Sequence, residues 1–372
     1  MVEMNIEKIT KIEDLLKCLK SLKNDYYLFG AGVIGQIWGQ FLNKYGIKWA
    51  GYIDNNPKLH DKQICGKNVY FLSDIPDKSS ISISISISPG AYLLKYKDIC
   101  RQLQSEGVTK NQIINIAKNS WLANQIALDV KDAKKYFSRV SSLKNVFEGK
   151  RAFVIGNGPS LRIADLTQIK DEISFGCNTL FDLFDKTPFR PTVYFFEDPE
   201  FIKRYFSKND EVLYRLTSEC KYVISSFRNR IFDEYKEKIN NLYFINSYIN
   251  MNDTQFSSDI SQIVYVGGTS LFLIMQFALY MGIKEIYLLG VDFSFRNEAS
   301  KNGKVTVNEN IQNHQSNMEQ FNSGVYYTDV ILEAWNCAKK YADTHGVKIY
   351  NATRGGKLEV FPRVDFDSLF LD

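Results

Sequence analysis

An apolar strand, a glycine-marked turn and a helix follow one another twice in this chain, as YYLFGAGVIG at residues 26–35 and as RAFVIGNGPSL at 151–161. Each copy is continued by further apolar strands separated by helical stretches. Strands alternating with helices build a mostly parallel sheet covered on both faces, so the fold class is α/β. At 372 residues the chain exceeds what one hydrophobic core sustains, roughly 250–300 residues, and two domains are expected. The pattern places a first α/β module at 1–120, a lysine-rich helical connector without proline at 121–148 and a second α/β domain at 149–372.

In the first module an opening amphipathic helix precedes the glycine turn. GYIDNN, NVYFLSDI and ISISISIS read as further strands, the last with serine on one face and ended by Pro89-Gly90, and a helix follows over about 92–107. In the second domain RAFVIG, EISFGC, TVYFFED, KYVISS, LYFIN, EIYLLGVDF and VKIYNA read as strands. Residues 297–327 are polar, rich in Asn and Gln and aperiodic, which predicts a long functional loop.

Composition excludes several classes. With 45% hydrophobic and 24% charged residues the chain is globular. A net charge of +4 with scattered basic residues does not make the concentrated footprint that nucleic acid requires. Six widely spaced cysteines without a CxxC pair fit reduced thiols. The N-terminus lacks the layout of a signal peptide, and the longest apolar stretch, 271–283, contains Gln276 and is shorter than the ~20 residues of a membrane span. These features predict a cytoplasmic protein, with at most peripheral contact at the inner face of the membrane.

Gly30, Gly32 and Gly35 follow a strand and open a helix, and Asp54 ends the next strand. That spacing suits a dinucleotide, with the glycines approaching a diphosphate and Asp54 a ribose hydroxyl; a bare turn accounts for the same glycines. In the second domain Gly156, Asn157, Gly158 and Ser160 form one turn, and Gly267, Gly268, Thr269 and Ser270 form another before an apolar helix. Free N–H groups and the helix dipole favour phosphate at such turns, although Thr269 or Ser270 alone reads equally as an N-cap. Cys177-Asn178, Glu197-Asp198 and Asp292 stand at strand ends, where a carboxylate suits a ribose, a sugar hydroxyl or Mg²⁺, and equally a helix cap or an ion pair. Of three histidines, His60 and His345 read as structural, whereas His314, in the polar loop before Tyr326 and Tyr327, is the candidate general base.

From about residue 149 onwards, GNGPSL, the Cys177-Asn178 and Glu197-Asp198 pairs, GGTS, GVDF and NATRGGKLEVFPR occur in an order that resembles the MptE-like/motility accessory factor family. GNGPSL, the Cys-Asn pair, the Thr-Ser helix start and G-x-DF are also similar to bacterial CMP-sialic-acid sialyltransferases. The first module, with FGAG and IDNNP, resembles the small Rossmann module of many surface-polysaccharide enzymes. The resemblance implies two Rossmann-like domains and a nucleotide-sugar glycosyltransferase, with Asn157, Gly158, Ser160, Asn178, Thr269 and Ser270 lining the donor. Sialyltransferases carry a histidine before an N-T-D-like segment where this chain has Val325-Tyr326-Tyr327-Thr328-Asp329. His314 can replace that base only if its loop folds inward, while Tyr326 and Tyr327 are placed to hydrogen-bond the leaving phosphate. Asp198 stands where those relatives have an amide, which tilts the donor away from simple sialic acid or the site towards a metal.

The expectation is therefore a transferase. It moves a sugar such as a nonulosonic acid from a nucleotide-activated, CMP-type donor to a glycan or protein hydroxyl, with His314, Asp198 and Asp292 as catalytic groups and a homo-oligomer as its form. One alternative is diphosphate transfer from ATP to a hydroxymethylpterin, with Asp198 and Asp292 holding Mg²⁺; the absence of a GxxxxGK[ST] loop weighs against it. The other is a non-catalytic nucleotide-sugar-binding protein.

Overall fold

The computed structural model describes residues 9, 11–60, 62–87, 89–114, 119–206, 210–249, 254–315 and 324–371. The chain divides into two compact units, Met1–Ala133 and Lys134–Asp372.

The first unit runs α1 (Ile12–Lys20), β1 (Asp25–Phe29), α2 (Val33–Lys44), β2 (Gly51–Ile53), β3 (Gln63–Ile64), β4 (Lys67–Tyr70), β5 (Ile81–Ile85), α3 (Pro89–Ser105), β6 (Ile113–Ile114) and α4 (Ser120–Lys131). Leu15 and Leu19, four apart, bury one stripe of α1. The sheet order is β3-β4-β2-β1-β5-β6, parallel throughout except for the β3–β4 hairpin. The Ile-Ser alternation of β5 is buried on both faces. Its serine face is internal with hydroxyl partners at hand: Ser84 Oγ lies 2.6 Å from the Tyr26 hydroxyl, and just past the strand Ser86 Oγ donates to the Phe29 carbonyl at 3.0 Å. The stretch read as a connector, 121–148, is divided: α4 packs on α2 in the first unit, and the rest belongs to the second.

The second unit runs α5 (Lys134–Phe137), β7 (Arg151–Ile155), α6 (Ile163–Gln168), β8 (Ser174–Cys177), β9 (Val193–Phe196), α7 (Pro199–Tyr205), α8 (Glu211–Glu219), β10 (Tyr222–Ser226), α9 (Arg230–Tyr235), β11 (Leu242–Ile245), β12 (Ser247–Tyr248), β13 (Val264–Tyr265), α10 (Ser270–Tyr280), β14 (Glu285–Leu289), β15 (Asn297–Ala299), β16 (Val305–Val307), β17 (Tyr326–Tyr327), α11 (Thr328–Thr344) and β18 (Lys348–Asn351). Its main sheet is parallel in the order β11-β10-β9-β8-β7-β14-β18. The chain steps outward from β7 to β11 and then returns to the other side of β7, so the order reverses between β7 and β14. Open α/β sheets bind ligands beyond the carboxyl ends of the strands near such a reversal. Both units are Rossmann-like.

The helix α10 is apolar on nearly every side and buried from Phe272 to Ala278. Its one polar interior residue, Gln276, accepts from the Ser257 and Tyr265 amides at 3.1 Å each and donates to the Tyr265 carbonyl at 2.6 Å. Among the described residues no helix is long and apolar enough to cross a membrane. The loop expected over 297–327 is in part a small sheet, ordered β16-β15-β17; residues 316–323 lie outside the described residues. Strands of two or three residues carry too little periodicity for the sequence to reveal them.

Candidate functional site

The first unit's glycine turn is closed by its own carboxylate. Asp54 accepts from the Ala31 amide and from the Asn56 amide, each at 2.8 Å. Gly30 has φ +104°, and a Cβ on Gly35 would collide with the Gly30 carbonyl, so these glycines serve close strand–helix packing, while the space beside Gly32 is open. Two shallow depressions of about 580 and 590 Å³ lie elsewhere, towards the far end of α2, with Asn43 in both. His60 donates through Nε2 to the Asp54 carbonyl at 2.7 Å and packs edge-on to Phe71.

In the second unit the two glycine turns differ from expectation. The Gly156 and Gly158 amides donate to the Leu289 and Gly290 carbonyls at 2.7 and 2.9 Å, and the Ser160 hydroxyl and amide both donate to Asp292 Oδ2, at 2.8 and 3.4 Å. A Cβ on Gly158 would strike that same carboxylate. Asp292 therefore fastens the first turn to the end of β14, and burial raises its pKa. The amides of Gly156, Gly158 and Ser160, expected to cradle a phosphate, donate within the protein here, and α6 begins only at Ile163 and is six residues long. Asp292, expected as a catalytic or Mg²⁺-holding group, accepts from Ser160 and joins this turn to the end of β14.

At the second turn Gly267 and Gly268 have φ +56° and +77°, and side chains there would press on Phe272 and on Ile331 of α11. Thr269 caps α10, its hydroxyl accepting from the Leu271 amide at 3.4 Å. Neither the Gly267 nor the Gly268 amide makes a hydrogen bond among the described residues. This second turn therefore offers amide donors for an anion at a helix start.

Side chains rather than amides join the two turns. Asn157 Nδ2 donates to the Cys177 carbonyl at 3.0 Å at the end of β8, and its buried Oδ1 has no partner among the described residues. Asn178, held at φ +48°, donates through Nδ2 to Ser270 Oγ at 3.3 Å, and its Oδ1 accepts from the Glu197 and Asp198 amides at 3.2 and 3.3 Å. One amide thus ties together β8, β9 and the start of α10. A non-glycine residue in the left-handed region costs about 1 kcal/mol or more and persists only where its surroundings hold it.

The loop carrying His314 folds inward. The Gln315 amide donates to the Asn157 carbonyl at 2.7 Å, and His314 Nε2 lies 3.3 Å from the Tyr326 hydroxyl. Tyr326 stacks on Phe295 with ring centres 4.4 Å apart. Burial pushes the His314 imidazole down to about 4, so the ring is neutral at pH 7. Burial and then the Asp198 charge push Tyr326 up to about 12, and the same two causes push the Cys177 thiol up to about 12. Asp198 is therefore near both. Tyr327, the next residue of β17, faces the opposite side and is buried against the protein, so it does not join Tyr326.

One member of the neighbourhood, Arg228, was not singled out from the sequence. Arg228 follows β10 and Glu197 follows β9, and the two attract within a buried setting. Burial lowers the Arg228 pKa and raises Glu197 to about 7, the latter opposed by the Ser247 hydroxyl and by Arg228. The strand-end rule that marked Glu197-Asp198 would have marked Arg228 in ISSFRNR had it been applied to β10. Among the described residues no group of three or more His, Cys, Asp or Glu side chains is arranged to hold a metal ion.

An open parallel sheet with amides, a hydroxyl and an imidazole–phenol pair gathered beyond its strand ends defines a Rossmann-like α/β protein with a polar site at the carboxyl edge. Residues 124–298 match the family model described as 6-hydroxymethylpterin diphosphokinase MptE-like, and over that stretch the chain is similar to that family. The match ends before His314 and Tyr326. No curated protein matches the chain.

Proposed function

We propose that the second unit is a transferase moving a sugar from a nucleotide-activated donor, CMP-type by preference, to a hydroxyl of a glycan or protein. The observation that carries this reading is the neutral His314 imidazole beside the Tyr326 hydroxyl, on a loop pinned to Asn157. In this scheme the α10 N-terminus and Ser270 hold the donor phosphate. Tyr326 hydrogen-bonds the phosphate oxygen as the glycosidic bond breaks, and His314 takes the proton of the attacking hydroxyl. Asn178 acts as a positioning residue for Ser270, and Asp198 orients a hydroxyl of the sugar or acceptor.

The name of the matched family favours a second reading, diphosphate transfer from ATP. Thermal-shift titrations with CMP, UDP, GDP, ATP and NAD, each with and without Mg²⁺, separate the two. Stabilisation by CMP without metal supports sugar transfer; stabilisation by ATP only with Mg²⁺ overturns it in favour of diphosphate transfer. Asn178→Ala frees Ser270 and the Glu197 and Asp198 amides. It is expected to weaken nucleotide binding about tenfold or more, a loss of roughly 1.4 kcal/mol, as isothermal titration calorimetry would read.

A further inference from the structure

We infer that the β16 edge is a self-association surface on which two copies of this chain pair antiparallel about Thr306. The strand is the free edge of the β16-β15-β17 sheet, and residues 302–310 are exposed throughout. Its register against β15 pairs Asn297 with Val307, Glu298 with Thr306 and Ala299 with Val305. The Ser300 amide donates to the Lys304 carbonyl at 3.0 Å and the Asn308 amide to the Arg296 carbonyl at 2.7 Å. An antiparallel ladder alternates, so Lys304, Thr306 and Asn308 bond inward to β15 and the N–H and C=O groups of Val305 and Val307 point away from it. No described residue takes up these four groups.

An edge with unpaired backbone groups and exposed apolar side chains is a template for another strand. Val305 and Val307 are 44% and 57% exposed. Of the seven large hydrophobic residues exposed among the described residues of this unit, Val305, Val307 and Leu332 belong to this sheet or to the helix that follows it, and Val325 directly precedes β17. The favoured occupant is a second copy because Val-Thr-Val reads the same in both directions. A two-fold axis at Thr306 sets Val305 of one copy opposite Val307 of the other, twice, on one face. The same register makes Val305 and Val307 the hydrogen-bonded pair, the residues whose outward groups are free, so geometry and side-chain matching select one alignment. The paired strands are short, which makes a weak, reversible dimer.

Sedimentation velocity on the full chain over a range of concentrations tests this. The wild type is expected to shift from monomer to dimer as concentration rises. Val307→Pro removes an outward amide and no inward hydrogen bond, and is expected to raise the dimer dissociation constant at least about tenfold with an unchanged circular dichroism melting curve. Val305→Lys with Val307→Lys places like charges opposite each other and abolishes association, whereas Val305→Glu with Val307→Lys places opposite charges there and restores it. A wild type that stays monomeric at its highest soluble concentration overturns the inference, including the case in which a strand of another protein takes the edge. So does a dimer that Val307→Pro leaves unaffected.

Discussion

His314→Asn is expected to lower kcat/KM for sugar transfer by about 10²–10⁴-fold, the usual contribution of a positioned general base, while donor affinity stays within about threefold. Asparagine keeps a polar group near the Nδ1 position, falls short of Tyr326, and cannot accept the proton of an attacking hydroxyl. Steady-state kinetics with separate donor titration distinguishes the two effects, and a parallel loss of donor affinity would point to a structural role instead. The pH dependence of stability gives an independent readout. Burial pushes His314 from 6.5 to about 4, so between those values the unfolded chain binds a proton that the native chain refuses. Stability is then complete above about 6.5 and falls as pH drops towards 4. Urea titrations across that window should show a steeper loss in the wild type than in His314→Asn; identical slopes would contradict the buried, neutral imidazole.

Arg354→Leu is expected to cost about 3–5 kcal/mol of stability, the range for removing one partner of a buried ion pair. Arg354 grips Asp165 through Nε at 2.9 Å and Nη2 at 3.0 Å, and also reaches Asp367 through Nη1 at 2.9 Å. The Asp165 side chain is only 4% exposed, so leucine strands a carboxylate without water or partner. Arg354→Lys should recover little, since an ammonium cannot make the forked contact. Asp165→Asn combined with Arg354→Leu should recover part of the loss, because the stranded charge is gone. Chemical denaturation measures all three; a cost below about 1 kcal/mol for Arg354→Leu would place the pair with ordinary surface ion pairs.

What could be read ahead of the structure follows the range of the interactions involved. The parallel strands and the polar residues at their ends were legible because both are local patterns: β8 and β9 each end in the pair that the sequence marked, Cys177-Asn178 and Glu197-Asp198. The roles of Ser160 and Asp292 were not legible, because their hydrogen bond joins residues 132 positions apart. Nothing near either residue announces that a glycine turn is satisfied by the end of a distant strand. The same holds for Asp54, whose spacing fits a ribose ligand and whose carboxylate accepts from the Ala31 amide. Tyr326 and Tyr327 were inseparable by sequence, since only the pairing of β17 with β15 decides which ring meets His314. The inward fold of the His314 loop likewise depends on one long-range contact, Gln315 to Asn157.

The central claim is that the α10 N-terminus and the His314–Tyr326 pair face one donor. A crystal structure of the full chain with cytidine monophosphate tests it most directly. The account predicts the phosphate within hydrogen-bonding distance, about 3 Å, of both Ser270 Oγ and the Tyr326 hydroxyl. A nucleotide seated at the Gly30 turn of the first unit, with the Ser270 region empty, would contradict it.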